Sequence, residues 1–229
     1  MTNHIKTLKK IAALASLGMM FISPWAQAYE PGSWILKGGI ANVDPDSDSG
    51  PIVIGGAPQG GTGVEVDSAA TLYLNIGYAL SENLVLELLA DTTSKHDVNA
   101  TGGLAGLGQI VTVKTLPPTL TLQWHFNPKG KVRPFAGAGI NYTTFLDETT
   151  SASLNNALGG PSSVKLDDSW GLALQAGMDI MLTDKWFLNL NLYYIDIDTK
   201  ANITSPAGPV SVDVNVDPWV YGIGIGTTF

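Results

Sequence analysis

The sequence predicts an all-β fold: an eight-stranded antiparallel up-and-down transmembrane β-barrel. Three observations predict it, namely an export leader, hydropathy that alternates residue by residue, and connections that alternate between long and short. The 229 residues are 45% hydrophobic and only 14% charged, with 26 glycines and no cysteine. That is too apolar for a disordered chain. A formal charge of -8 leaves no basic stripe for phosphates, which excludes a nucleic-acid partner. The lack of cysteine excludes a disulfide scaffold, thiol catalysis and thiolate zinc sites.

The leader comes first. Lys6, Lys9 and Lys10 precede an apolar run over 11–23, and Ala26-Gln27-Ala28 has the small-x-small form of a cleavage site. The run is too short to span a bilayer, which takes about 20 residues. Residues 1–28 therefore read as a cleaved signal peptide and 29–229 as the mature domain. Removing three lysines and no acid takes the net charge from -8 to -11.

Beyond the leader the period is two, the signature of strands whose successive side chains point to opposite faces. Leu72, Leu74, Ile76 and Tyr78 share one parity against Tyr73, Asn75 and Gly77. Leu84, Leu86, Leu88 and Ala90 oppose Val85, Glu87 and Leu89. Leu120, Leu122, Trp124 and Phe126 oppose Thr121, Gln123 and His125, and Trp186, Leu188, Leu190, Leu192 and Tyr194 oppose Phe187, Asn189, Asn191 and Tyr193. Eight runs result, near 33–43, 66–80, 84–95, 110–126, 132–146, 168–182, 186–200 and 210–229. The turns at 81–83, 127–131 and 183–185 are tight, whereas 44–65, 96–109, 147–167 and 201–209 are longer and rich in Gly, Pro, Ser, Thr and Asp. Short turns on the periplasmic side and longer loops outside are the rhythm of an outer-membrane barrel. A soluble β-sandwich or lipocalin-like barrel would turn the greasy face inward.

The final run shows both faces at once. Trp219, Tyr221, Ile223, Ile225 and Phe229 meet lipid, while Gly222, Gly224 and Gly226 face a lumen too narrow for bulk. The terminal Phe229 resembles the signal read by the outer-membrane insertion machinery. The glycines lack the spacing of a dinucleotide-binding loop.

LPPTLTLQWHF (116–126), RPFAGAGINYTTF (133–145), DDSWGLALQAGMD (167–179), WFLNLNLYYIDIDT (186–199) and VDPWVYGIGIGTTF (216–229) together resemble the OmpW family of small outer-membrane barrels. The likeness runs in order through the mature chain, least in 44–65 and 147–166. It implies an eight-stranded barrel with a hydrophobic lumen, associated with passage of small apolar molecules and a lateral route into the membrane.

The residues bear on that implication independently. Asp196, Asp198, Asp213, Asn215 and Asp217 continue the lipid-facing parity of the last two runs, while Ile195, Ile197, Val212, Val214 and Val216 turn inward. Carboxylates do not sit in hydrocarbon, where a charge costs about 2–4 kcal/mol at the midplane. These segments are therefore expected to rise above the membrane around an apolar extracellular mouth. Trp170 joins the mouth only if its strand twists locally; the alternative is a β-bulge at each polarity switch.

Lower down, Lys37, Glu87, Arg133, Asp179, Gln123 and His125 point inward and are expected to form a salt-bridged plug, in preference to an ion-selective pore. Pro117 and Pro118 cannot donate to a ladder, so pairing with the preceding strand is expected to break there and leave a lateral gap. The alternative is that pairing simply begins after Pro118. Asp44, Asp46 and Asp48 have the wrong spacing for a calcium loop. Neither His125, at the periplasmic end, nor His96, with Ser94 and Asp97 nearby, has a partner set that fixes catalysis. No cofactor, metal or enzymatic role is expected. The expected surroundings are outer-membrane lipid and lipopolysaccharide, and the expected cargo is small hydrophobic molecules. The alternative is a non-conducting structural or receptor barrel with partner-binding surface loops.

Overall fold

The computed structural model describes residues 28–229, so the expected leader lies outside the described residues apart from Ala28. In chain order the strands are β1 (Trp34–Asp44), β2 (Asp48–Ser49), β3 (Val53–Ile54), β4 (Ala57–Pro58), β5 (Thr62–Val66), β6 (Ala69–Ala79), β7 (Leu84–Asp91), β8 (Ser94–Gly102) and β9 (Gln109–Leu116). They continue with β10 (Thr119–His125), β11 (Val132–Thr150), β12 (Ser163–Leu166), β13 (Ser169–Met181), β14 (Trp186–Ile195), β15 (Asp198–Ser205), β16 (Gly208–Asn215) and β17 (Trp219–Thr228). One short helix, α1 (Ala152–Ala157), lies between β11 and β12.

Eight of these strands close a barrel. β10, β7, β6, β1, β17, β14, β13 and β11 pair antiparallel in that order, and β11 returns to β10. The last strand meets the first from Ile35↔Thr228 to Asp44↔Trp219, which removes the open edge. Alternation decides the facing. Ile40, Leu72, Leu172 and Ile225 are 61%, 57%, 66% and 53% exposed, on a belt of apolar side chains that only lipid can satisfy. Aromatic rings border it at both heights. Trp34 packs against Tyr78 near the short turns, and Tyr142 against Trp170 and Tyr194 against Trp219 near the long connections.

The inner wall of β17 is bare because its neighbours need the space. A Cβ on Gly224 would run into the Gly38 carbonyl and the Tyr73 hydroxyl, and one on Gly226 into the Phe187 ring.

Above the belt the wall continues as a second storey. β11 outruns β10 and pairs with β9, followed by β8 and β5, while β12, β15, β16, β3 and β4 form a separate sheet with β2 alongside β16. The inner faces meet in a core of Ile52, Val64, Ile110, Leu154, Leu158 and Val212, among others.

Two expectations need correction. Four runs read as single strands are each interrupted, at 92–93, 117–118, 196–197 and 216–218. Proline explains the second. At the last, Asp217 holds φ +37°, unfavourable for a residue with a Cβ, and its carboxylate accepts the Ile197 N–H at 3.1 Å in place of a ladder bond. Conversely, the segments read as loops hold β2 to β5, most of β8, the end of β11, α1, β12 and the tip of the β15–β16 hairpin. Several of these strands are only two to five residues long and are separated by glycine-bearing turns, so alternation has no length over which to show, and only the shared apolar core selects them.

Candidate functional site

The lower lumen is filled. Lys37 Nζ lies 2.7 Å from Glu87 Oε2 and 4.0 Å from Asp179 Oδ2. Asn75 Nδ2, Gln175 Nε2 and the Tyr193 hydroxyl all donate to Glu87 Oε1 at 2.9–3.0 Å. The Tyr29 hydroxyl and Asn189 Nδ2 donate to Asp179, both at 2.6 Å. Gln123 Nε2 donates to Gln175 Oε1, His125 stacks near Phe135 and Tyr29, and the Arg133 guanidinium lies over the Tyr29 ring at 4.8 Å. Lys37, Glu87, Arg133, Asp179, Gln123 and His125 are all buried, so the inward parity places the six together. Sequence reasoning missed Tyr29, Asn75, Gln175, Asn189 and Tyr193. The last four carried a signal, since each is polar on the inward parity of a membrane strand; Tyr29 precedes the first run and carried none.

Above the plug the interior turns apolar. Ile195, Ile197, Val212 and Val214 are buried, Val216 is partly so, and all five border one cavity of about 80 Å³ with Val43, Val113, Phe145 and Val220. The polarity switch explains the wall: Asp198, Asp213 and Asn215 face outward on the strands whose valines and isoleucines face in. Two expectations change. Val212 and Val214 pack in the cluster that contains Ile52, Leu154 and Leu158 from the connections, so the space is a covered chamber and not an open mouth. Trp170 is 72% exposed and stacks on Tyr142 at 4.8 Å, outside the chamber. The Trp170 parity persists because β13 shows no register shift along its pairing with β11.

The chamber wall has a break in its hydrogen bonding. β7 pairs with β10 as far as Leu89↔Thr119, and β8 resumes with β9 at Ser94↔Thr115. Between them, residues 90–93 face Leu116, Pro117 and Pro118 without a ladder. The other flank is held: Tyr142 N–H donates to the Pro118 carbonyl at 3.1 Å, and Thr119 Oγ1 and Asn141 Nδ2 donate to that of Pro117. Pro117 borders the chamber.

Six polar residues also border it: Asp91, Ser94, His96, Thr115, Thr143 and Thr199. His96 Nδ1 lies 2.9 Å from the Asp67 carbonyl oxygen. Burial lowers the His96 pKa below its ordinary value, against the Asp67 carbonyl and the Asp67 and Asp97 charges, which raise it. Asp97 faces away and accepts from Gln109 Nε2 and Thr112 Oγ1 at 2.9 and 2.7 Å, so Ser94, His96 and Asp97 do not form a relay. On the outer surface Asp196, Asp198 and Asp217 bring carboxylate oxygens within 4.8 Å of one another, the arrangement among the described residues nearest to a cation-ligand set. Burial and then the neighbouring carboxylates raise the pKa of Asp217 and, through Asp196, that of Asp198.

Known proteins share this architecture. The OmpW family matches residues 30–229. Outer membrane protein W of Vibrio cholerae serotype O1 is 39% identical over 221 residues, covering 96% of this chain and 98% of that one. The crystal structure of outer membrane protein OprG from Pseudomonas aeruginosa superposes with a TM-score of 0.83 at 42% identity, covering 89% of this chain and 99% of that one. The dibenzothiophene metabolism operon protein PahQ of Pseudomonas aeruginosa is 28% identical over 205 residues, covering 90% and 91%. A closed eight-stranded barrel with a lipid-facing belt, matched along its length by outer-membrane proteins, places this chain in the outer membrane as a member of the OmpW family.

Proposed function

We propose that this barrel passes small hydrophobic molecules across the outer membrane, taking them into the covered chamber and releasing them sideways into lipid. The observation that carries the reading is the apolar chamber lying directly above a filled lumen and beside a break in the wall. A ligand in that chamber has no path down through the Lys37–Glu87–Asp179 network. The interrupted ladder at Pro117 and Pro118 is the weak part of the wall, because no backbone bond must be broken there for the strands to part. Desolvation supplies the driving force, since burial of apolar surface is favourable by about 25 cal/mol per Å². The name of the relative PahQ, which refers to metabolism of an apolar sulfur heterocycle, supports the cargo class.

The test is uptake of a small apolar probe by vesicles carrying the purified barrel, against empty vesicles. Faster uptake is expected, and it should be lost when Val214 and Val216 both become Asp while the barrel keeps its heat-modifiable mobility. Uptake no faster than the empty control would instead favour a structural or receptor barrel.

A further inference from the structure

The chamber wall is mostly apolar, and its threonines Thr143 and Thr199 already spend their hydroxyls on Asn141 and the Asp167 carbonyl. Asp91 ends β7 and Ser94 begins β8, and both turn inward with 7% and 2% exposure. Asp91 Oδ1 and Ser94 Oγ have no hydrogen-bond partner among the described residues. The contrast with the plug is direct, because Glu87 and Asp179 collect a lysine and several donors between them. Among the described residues no ion pair reaches Asp91. Lys37 serves the plug, and Lys114 is taken by Asp147 at 2.8 Å. Neighbouring His96 is already engaged with the Asp67 carbonyl. Buried polar atoms left unpaired are costly, and interiors rarely leave them with nothing to meet them.

Both groups border the same cavity as Val113, Phe145 and Ile195, next to Pro117. We infer that Asp91 and Ser94 form a polar anchor for the cargo, so that the chamber selects apolar molecules carrying one hydrogen-bond-donating head, a hydroxyl or an amine. A carboxylate accepts when ionised, and a hydroxyl both accepts and donates, so a head that donates can meet both groups. The tail lies against the isoleucines and valines, and the head exchanges its lost water for Asp91 and Ser94. The anchor's place at the ladder break orients the molecule at the side of the chamber from which it leaves. This inference rests on the transport reading and names its substrate class.

The experiment uses the full barrel in lipid nanodiscs, with methyl-labelled valine and isoleucine reporting on binding through Val113 and Ile195. Hexane, 1-hexanol, hexylamine and hexanoate are titrated into wild type, Asp91→Leu, Ser94→Ala and Asp91→Asn. Comparing variant with wild type for one probe cancels its partition into lipid. A hydrogen bond to a charged group corresponds to roughly a 10-fold change in affinity. Asp91→Leu is therefore expected to weaken 1-hexanol and hexylamine about that much while hexane binds as well or better. Ser94→Ala should weaken 1-hexanol by less, and hexanoate should bind worst to wild type. If Asp91→Leu does not assemble, Asp91→Asn, which keeps the shape and loses the charge, should still weaken hexylamine. Equal binding of hexane and 1-hexanol, unaffected by any variant, would overturn the anchor and leave the transport reading standing. No chamber shift with any probe would overturn both.

Discussion

Lys37 stands between Glu87 and Asp179 with all three shielded from solvent, so its worth lies mainly in what its removal leaves behind. Lys37→Met strands two buried carboxylates and is expected to destabilise the barrel by about 3–5 kcal/mol, measured by urea unfolding in detergent micelles. Replacing the lysine and both acids together with apolar residues of similar volume should cost much less, because no orphan charge remains. Gly224 is a steric counterpart: Gly224→Ala pushes a methyl against the Gly38 carbonyl and should cost about 1–3 kcal/mol in the same assay. His96 sets a pH dependence. Burial keeps it neutral, so the folded second storey binds fewer protons there than the unfolded chain. The stability contributed by neutral His96 is complete above its ordinary value of 6.5 and is lost as the pH falls toward the lower folded value. Protection factors in β8 and β9, which divide out the intrinsic pH dependence of amide exchange, should therefore fall as the pH drops below the ordinary histidine value, and this fall should be absent in His96→Gln.

Among the elements, the interruption shared by β7–β8 and β9–β10 is the one with a functional consequence. It is one-sided, since β11 bonds across the prolines while residues 90–93 do not. Replacing Pro117 and Pro118 with Val restores one backbone donor toward those residues, at position 117, and one toward β11. The double variant is expected to gain hydrogen-exchange protection over 90–93 and to slow uptake of an apolar probe. Protection gained with uptake unchanged would remove the lateral exit while leaving the chamber intact. The other interruptions serve a different end. At 196–197 and 216–218 the chain steps from lipid to water without losing its inward parity, so Ile195 and Ile197 stay on the chamber side while Asp196 and Asp198 leave it.

At the scale of the whole molecule there are two storeys with opposite polarity. The lower is apolar outside and polar within, and the upper is polar outside and apolar within. The boundary between them should be the membrane surface. Because the chain has no cysteine, single cysteines read this cleanly. A cysteine at Leu172 or Ile223 should resist a water-soluble maleimide in vesicles, while one at Asn202 or Asp213 should react. Equal labelling of all four would mean that the belt is not embedded.

The sequence by itself determined which face of each membrane strand meets lipid and where polarity inverts, because a period of two is local and every residue of the belt reports it. Ile40, Leu122, Leu190 and Ile225 could each be assigned from their neighbours alone. That Lys37, Glu87 and Asp179 point inward was equally legible. That one lysine serves both carboxylates, with Tyr29 closing the network from outside any periodic run, was decided by barrel closure, which sets Tyr29 against Asp179, 150 positions away. Tertiary structure alone decided that the inward valines are roofed by Ile52, Leu154 and Leu158, since those residues sit in segments with no period to read. The same holds for Asp91 and Ser94. Nothing in their local pattern distinguishes them from Glu87, and only the packing around them shows that a partner is missing.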